Sequence, residues 1–445
     1  MKWKTASTLA LLSAVSLIGS ACSGGSGSGS GDSEEVKDAS AKESKDPVEL
    51  VFYSMSRDSE ASFNERYGDA IRKKFPNYTI KYIQRAQGSD LPDLINAGTR
   101  IDIHWDSIGS FPSSNMVYEL SYDMSDLIKK HKVDLSRFEP SLIDAMKQLG
   151  NGAIYGLPVY NERMALFYNK DLFDKLNVPY PQDGMTWTEL DELAKKLNVE
   201  KDGVLYTGFS PSVNHLFLTN QYSLPLLDKS AMRPTITNEK WKQVLELQLL
   251  QPTQNPVYQK AMQANKGKIL DLNQFAKDQS LAMFISSPLM PLVMKEELSK
   301  FNWDLVSEPT MPDAPGVGPQ SYPGYFAITK MAKDKDAAME VIKYLTSDEY
   351  QMECAKKGIM TSLKSEEIQK ALGQESAFKG KNFGAFFYNK FPAIADKTVE
   401  ESQVPILATY TKNLNKLSAG EMDINTMMRT ADEEASKLLD GLKKK

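Results

Sequence analysis

The sequence is poor in the residues that most metal proteins and thiol enzymes depend on. Its 445 residues include only two cysteines and three histidines. His104, His131 and His215 lack the spacing of a zinc site, and no second thiol lies near them for Cys/His chemistry. The sequence therefore predicts no metal and no cofactor. The second cysteine, Cys354, falls in a helical pattern and is predicted to be a small core residue.

Basic runs and nucleotide-binding loops are also missing. The formal net charge is −5, and no basic stretch with interleaved aromatic residues occurs, which argues against a nucleic-acid partner. Gly316-Val317-Gly318 lacks the third glycine of a dinucleotide loop. The segment from Asn198 resembles the opening of a calcium loop, but Phe209 stands where a bidentate carboxylate is needed.

The N-terminus has the pattern of an export signal. Lys2 and Lys4 precede an apolar run too short to span a bilayer, and small residues lead to Cys22. This resembles a bacterial lipoprotein signal, in which the cysteine carries lipid, such as palmitate; the alternative is an ordinary secretory signal with an incidental cysteine. We expect a signal peptide at 1–21 and a lipid-anchored flexible linker at 22–46, which holds the body at the outer face of the cell membrane.

The remaining body alternates strand and helix patterns. Such alternation predicts an α/β fold with parallel or mixed sheets and helices on both faces, and a body of roughly 400 residues predicts two lobes. Removal of 1–21 would leave it a formal charge of −7, because two lysines and no acid are lost. Strands are predicted at 48–55, 79–85, 101–105, 164–168, 204–209, 281–285, 303–308 and 325–329, and helices near 63–75, 91–97, 170–177, 186–197, 238–251, 289–299, 335–357, 400–418 and 424–442.

Two helix starts have recognisable caps. Asn169 is predicted to cap the helix at 170–177. Thr186 and Glu189 have the spacing of a capping box, in which each side chain bonds the other's backbone amide.

Aromatic and polar residues gather where the predicted strands end. In open α/β sheets, ligands bind at the carboxyl ends of strands. Aromatic faces suit the C–H patches of a sugar, and carboxylate, amide and guanidinium groups bond its hydroxyls. A single such residue is core about as often as ligand contact, so the prediction depends on the group. The predicted ligand-binding residues are Tyr53, Trp105, Asp106, Tyr160, Asn161, Arg163, Ser210, Ser286, Tyr322 and Tyr325.

Several stretches resemble the family 1 extracellular solute-binding proteins of bacterial ABC importers, the maltose-binding-protein-like group. The resemblance covers nearly the whole mature body. It is carried by Gly156-Leu157-Pro158, Tyr168-Asn169-Lys170-Asp171-Leu172-Phe173 and Thr186-Trp187-x-Glu189-Leu190, with support from Ile101–Trp105, Leu281–Met283 and Tyr322–Thr329.

The resemblance implies a two-lobed periplasmic-binding-protein-like fold (type II) with a ligand cleft between the lobes. Lobe 1 would comprise 47–158 and 322–365, and lobe 2 would comprise 159–321 and 366–445. The implied function is a monomeric solute-binding component of an ABC importer, not an enzyme, which captures a carbohydrate, in particular an oligosaccharide, by hinge closure and delivers it to a permease. Trp105, Asp106, Tyr322 and Tyr325 fall on positions that touch sugar in the family.

One departure and several alternatives bear on the ligand. Ser286-Ser287-Pro288-Leu289 stands where many sugar-binding relatives have Gly-x-Trp or a similar pair, which argues against a maltose-like ligand. Arg163 could pair with an acidic sugar, or instead form a local ion pair with Glu162. The alternative functions are an exported lipoprotein enzyme that acts on polysaccharide, a binding protein for a non-sugar solute, and a surface adhesin or scaffold.

Overall fold

The computed structural model describes residues 48–398 and 405–443. The predicted signal peptide at 1–21, the linker at 22–46 and the lipid attachment at Cys22 lie outside these residues, as does the start of the helix predicted at 400–418. Within the described ranges, no helix combines the length and the apolar character needed to cross a membrane.

Two five-stranded sheets and a short hairpin organise the described residues. The first sheet has the order β2-β1-β3-β12-β4, the second has the order β11-β5-β10-β7-β6, and β8 pairs with β9. The strands are β1 Val48–Tyr53, β2 Tyr78–Ile83, β3 Ile103–Ser107, β4 Leu157–Tyr160, β5 Ala165–Asn169, β6 Val199–Lys201, β7 Val204–Ser210, β8 Leu227–Asp228, β9 Arg233–Pro234, β10 Leu281–Ser286, β11 Trp303–Ser307 and β12 Gly324–Ile328.

Both sheets are mixed. In the first, β1 runs parallel to β2 and β3, while β12 runs antiparallel to β3 and β4. In the second, β10 is parallel to β7, and β5 is antiparallel to β10 and β11. Because β12 follows the whole second sheet in the chain, the first sheet is completed by a strand that returns from the second. The predicted α/β class with mixed sheets is confirmed.

Helices connect the strands and pack on the sheets, as Trp187–Leu197 does on β7. The α-helices are Glu60–Phe63, Asp69–Lys74, Leu91–Asn96, Ser125–Lys130, Pro140–Leu149, Lys170–Leu176, Trp187–Leu197, Val213–Leu218, Glu239–Leu245, Gln251–Thr253, Pro256–Ala264, Leu272–Ala276, Met290–Val293, Lys295–Leu298, Lys335–Leu345, Asp348–Lys357, Glu366–Lys370, Ala385–Tyr388, Ile406–Thr411, Leu414–Ser418 and Ile424–Lys443; π-turns occupy Asn64–Gly68, Pro112–Met116 and Glu246–Leu250, and a 3-10 turn occupies Leu135–Arg137.

Both predicted caps are present. The Asn169 side chain accepts a hydrogen bond from the Leu172 amide at 3.2 Å. Thr186 and Glu189 form the full capping box, with the Thr186 amide donating to the Glu189 carboxylate at 2.8 Å. The helix predicted at 335–357 is instead two helices, because Ser347 caps the second one through the Tyr350 amide.

Each sheet has its own hydrophobic core. The core of the first sheet draws on residues between 48 and 159 and between 325 and 371, together with Ile394, and we call this part the first lobe. The core of the second sheet draws on residues between 164 and 311 and between 372 and 439, together with Met360, and we call it the second lobe. Cys354 is buried in the first core, as predicted.

Candidate functional site

The carboxyl ends of strands from both lobes face each other across a cleft. Residues after β1 line a groove of about 480 Å³ together with residues after β10. Asp58 and Arg66 lie on one side, and Pro288, Leu289, Pro291, Leu292 and Val293 lie on the other. Residues after β3 line a second groove, of about 240 Å³, with Leu218 and Leu226 of the second lobe and Tyr322 between them. In both lobes, residues that follow the carboxyl ends of strands therefore line grooves between the two cores.

Two crossing segments at the base of the cleft are hydrogen-bonded to each other. The Tyr322 amide donates to the Glu162 carbonyl at 2.8 Å, and the Asn161 side chain donates to the Ser321 hydroxyl at 3.1 Å. The Asn161 amide also donates to the Met360 carbonyl at 3.0 Å. Asn161 is 2% exposed, so it joins the crossing segments and presents no surface to a solute.

Arg163 is committed to backbone carbonyls. Its guanidinium donates to the carbonyls of Pro319, Phe386, Asn389 and Lys390 at 2.9 to 3.2 Å. Its charge lies 3.8 Å from the centre of the Phe391 ring, and the residue is 1% exposed. Burial lowers the pKa of Arg163 to about 10. The structure therefore gives Arg163 a fastening role between chain segments in place of the contact with an acidic sugar that the sequence suggested.

Tyr160 and Tyr322 are partly exposed residues next to the crossing segments, and Tyr322 lines the 240 Å³ groove. Both rings depend on a glycine opposite them, since a Cβ on Gly324 would lie 2.1 Å from the Tyr160 ring and one on Gly109 would lie 2.1 Å from the Tyr322 hydroxyl. The Ser107 hydroxyl donates to the Tyr322 hydroxyl at 3.4 Å. Of the ten predicted site residues, these two tyrosines and Ser286 keep surface that a solute between the lobes could touch.

Arg66 and Asp58 form the polar wall of the first lobe. Arg66 Nη1 donates to Asp58 Oδ2 at 3.3 Å, and Nη2 donates to the Tyr67 hydroxyl at 2.6 Å. The guanidinium carbon lies 5.4 Å from the centre of the Tyr160 ring, close enough for a cation–π interaction. The Tyr82 hydroxyl donates to the Asp58 carbonyl at 2.9 Å, so this wall is held on several sides.

Glu162 lies on the first crossing segment, where the charge of Arg66 acts on its carboxyl group. Burial raises the pKa of the Glu162 carboxyl to about 7, while the Ser287 hydroxyl and the Arg66 charge act in the opposite direction. Ser287 belongs to the second lobe and Arg66 to the first, so groups from both lobes affect the pKa of Glu162.

Four predicted site residues have core contacts instead. Trp105 is 1% exposed, with ring centres 5.5 Å from Phe63 and 5.4 Å from Phe326. Tyr53 packs in a small cluster with Leu91, Leu94, Ile101 and Leu120. Tyr325 and Ser210 have buried hydroxyl groups that bond to backbone. The Tyr325 hydroxyl donates to the Leu142 carbonyl at 2.5 Å, and the Ser210 hydroxyl donates to the Leu270 carbonyl at 2.6 Å. None of the four offers a solute any appreciable surface here.

Asp106 and Ser286 lie at strand ends near the cleft. Asp106 is 5% exposed, accepts a hydrogen bond from Ser54 at 3.3 Å and lies 3.1 Å from Nε2 of the buried His104. The chain of contacts continues from Ser54 through the Ser56 amide, and from the Ser56 hydroxyl to Asp58. Asp106 therefore supports the first-lobe wall from beneath it. Ser286 is partly exposed at the end of β10, opposite Ala165.

Sequence reasoning missed Asp58 and Arg66 as candidate site residues. Asp58 lies in the polar stretch after β1, and Arg66 lies within the helical pattern of Phe63 and Tyr67, where nothing distinguishes it from a solvated arginine. Within 48–398 and 405–443, no group of three His, Cys, Asp or Glu residues is arranged to hold a metal ion.

This chain is similar to known binding proteins both in sequence and in fold. Proteins named as binding proteins in Brucella abortus and Brucella suis are 23% identical over 273 residues, which is 56% of this chain and 59% of each relative's length. The sugar-binding protein MalE of Xanthomonas citri matches with a TM-score of 0.67 at 17% identity, over 89% of this chain and 98% of that one.

A second structure, the ABC substrate-binding protein of Listeria monocytogenes in complex with cycloalternan, has a TM-score of 0.65 at 19% identity, over 89% of this chain and 99% of that one. At these identities the structures establish the fold alone. The sequence profile of the family described as "Bacterial extracellular solute-binding protein" matches residues 56–352, more than half of the chain. With two sheets facing one cleft and crossing segments at its base, this chain belongs to that family of bacterial extracellular solute-binding proteins.

Proposed function

We propose that this protein is the extracytoplasmic solute-binding component of an ABC importer, and that its solute is a carbohydrate, in particular an oligosaccharide. The observation that carries the proposal is the cleft between two separately packed cores, where the Arg66 guanidinium and the Asp58 carboxylate of the first lobe share a groove with residues that follow β10. The Tyr160 ring lies 5.4 Å from that guanidinium, and Tyr322 lines the neighbouring groove. Aromatic faces and charged hydrogen-bonding groups together suit the alternating C–H and hydroxyl surfaces of sugars.

The proposed mechanism is a hinge equilibrium in which no bond is made or broken. A solute that touches both walls stabilises the closed form by its differential affinity for that form, and a shift from mostly open to mostly closed takes roughly 5 kcal/mol of such preference. The hydrogen bonds between the crossing segments keep the pivot fixed while the walls approach. The closed protein would then dock on a membrane permease.

The remaining parts of the proposal concern location and state. A lipid on Cys22 would anchor the protein at the outer face of the membrane, with 22–46 as a tether, and the protein would work as a monomer. Incorporation of labelled palmitate into the wild-type chain and its loss in Cys22→Ser would support the anchor. Equal labelling of both would refute it.

Calorimetry and small-angle scattering test the binding function together. With a panel of neutral and acidic oligosaccharides, at least one should bind, reduce the radius of gyration and be recovered unchanged after incubation. Tyr160→Ala should weaken that binding by about 1–3 kcal/mol. Shortened products would favour the polysaccharide enzyme, and binding without any compaction would favour an adhesin.

A further inference from the structure

Arg66 is presented to the cleft by an irregular helix. The helical segment from 60 to 74 is interrupted by a π-turn at Asn64–Gly68, and Arg66 lies at its centre. Such turns insert one residue into a helix and are frequent at functional sites. The turn places Arg66 where its guanidinium lines the 480 Å³ groove while its neighbour Tyr67 is buried in the first core.

Arg66 retains hydrogen-bond donors that a solute could use. A guanidinium carries five N–H groups. One on Nη1 goes to Asp58, one on Nη2 goes to Tyr67, and the Nε–H is buried without an acceptor among the described residues. One N–H therefore remains on each Nη atom. Two adjacent donors in a fixed fork match two adjacent hydroxyl oxygens of a sugar ring.

The charge of Arg66 is already compensated. Asp58 lies 3.3 Å away and forms an ion pair with the guanidinium. The whole groove is balanced as well, since Asp58, Glu65 and Glu375 are matched by Arg66, Lys295 and Lys357. An acidic solute at Arg66 would thus meet the Asp58 carboxylate at close range, with no excess of positive charge in the groove to offset it.

We propose that the Asp58–Arg66 pair makes the cleft selective for neutral, hydroxyl-rich sugars and against acidic ones. Arg66 supplies directed hydrogen bonds, and Asp58 cancels the attraction that an unpaired arginine would exert on a uronate. This inference rests on the proposed function and adds the charge class of the solute to it. It also reverses the acidic-sugar hypothesis that the sequence raised for Arg163.

The test uses the mature chain and three probes: maltotriose, mannotriose and the acidic trisaccharide trigalacturonate. Calorimetry at pH 8, at low and moderate salt, should show at least one neutral probe bound at least tenfold more tightly than trigalacturonate. Asp58→Asn should reduce the ratio of neutral-probe affinity to trigalacturonate affinity by at least tenfold, because it leaves the charge of Arg66 uncompensated and so raises the affinity for the acidic probe. A gain of affinity for the acidic probe cannot come from misfolding, which only lowers binding.

Two matched controls and a conservative variant complete the design. Glu60→Gln removes an exposed acid that does not line the groove, and Arg57→Lys alters an exposed arginine next to Asp58; both should leave the ratio within twofold. Arg66→Lys keeps the charge but loses the fork, and should weaken the neutral probe at least tenfold with an unchanged melting temperature.

The outcomes separate the two proposals. If a neutral probe binds but Asp58→Asn leaves the ratio unchanged, or if trigalacturonate binds as tightly as the neutral probes, the selectivity inference is wrong and carbohydrate binding stands. If none of the three trisaccharides binds, the selectivity inference is wrong because it requires a bound neutral probe, and the carbohydrate function is refuted only if the wider oligosaccharide panel also fails to bind.

Discussion

Replacement of Arg163 by methionine should destabilise the protein far more than loss of an ordinary arginine. Methionine keeps much of the side-chain volume but removes the Arg163 donor from the buried carbonyls of Pro319, Phe386 and Asn389. The Lys390 carbonyl, which also accepts from the Gly318 amide at 3.0 Å, keeps one partner. Hydrogen bonds from a charged group contribute roughly 1.5–3 kcal/mol each, so their plain sum would be large.

That sum overstates the effect, because the variant also removes a buried charge. The burial of Arg163 is unfavourable, as its lowered pKa shows, and this unfavourable contribution disappears with the guanidinium. We therefore expect a net loss of about 3–5 kcal/mol, the range found when one partner is removed from a buried charged network.

Urea unfolding followed by tryptophan fluorescence measures the change. The control is Arg137→Met, whose side chain is 37% exposed and paired with Asp348 at 2.6 Å; it should lose less than about 1 kcal/mol. If the free energy of unfolding of Arg163→Met is within 1 kcal/mol of the wild-type value but solute binding is lost, Arg163 contacts the solute and our assignment of its donors is wrong.

Three further changes have defined outcomes. Burial raises the pKa of Glu308 from 4.5 to about 8, so the native state holds a proton that the unfolded chain releases. Stability should therefore fall as pH rises from about 4.5 to 8. Glu308→Gln should remove that part of the pH dependence, which melting temperatures measured from pH 5 to 8.5 would show. An unchanged slope would contradict this. Gly324→Ala forces the Tyr160 ring to move and should cost about 1–3 kcal/mol of stability or of solute binding, whereas an unaffected protein in both calorimetry and urea unfolding would show that the ring is not confined. Thr186→Ala breaks the capping box and should lower stability by about 1 kcal/mol in urea, with solute affinity unchanged; an equal loss of affinity would mean that the helix start also shapes the cleft.

The α/β organisation could be predicted from the sequence because it follows from local patterns. Apolar runs such as 164–168 could only be buried strands, and side-chain caps such as Asn169 and Thr186 fix where helices begin. The two-core arrangement follows from the length of the body. These features depend on neighbours in the chain, which a sequence displays directly.

The site was harder to predict because it depends on strand ends to within one or two residues. The sequence placed a strand end at Trp105, whereas β3 runs on to Ser107, so Trp105 lies inside the strand with its ring in the core. Tyr325 is likewise inside β12. Arg66 reaches the cleft through a π-turn, which the periodicity of Phe63 and Tyr67 does not reveal. Which carbonyls surround Arg163 is set by segments more than 150 residues away.

The place of β12 in the first sheet has a consequence for biosynthesis. Its neighbours β3 and β4 are made long before it, and neither is paired with the other, so both keep bare edges until Gly324–Ile328 has emerged. A chain stopped short of that strand would expose open backbone edges, which invite aggregation. We therefore expect the N-terminal half to be insoluble when expressed alone. For most of its synthesis, the protein would be exposed to cellular quality control with its first sheet incomplete.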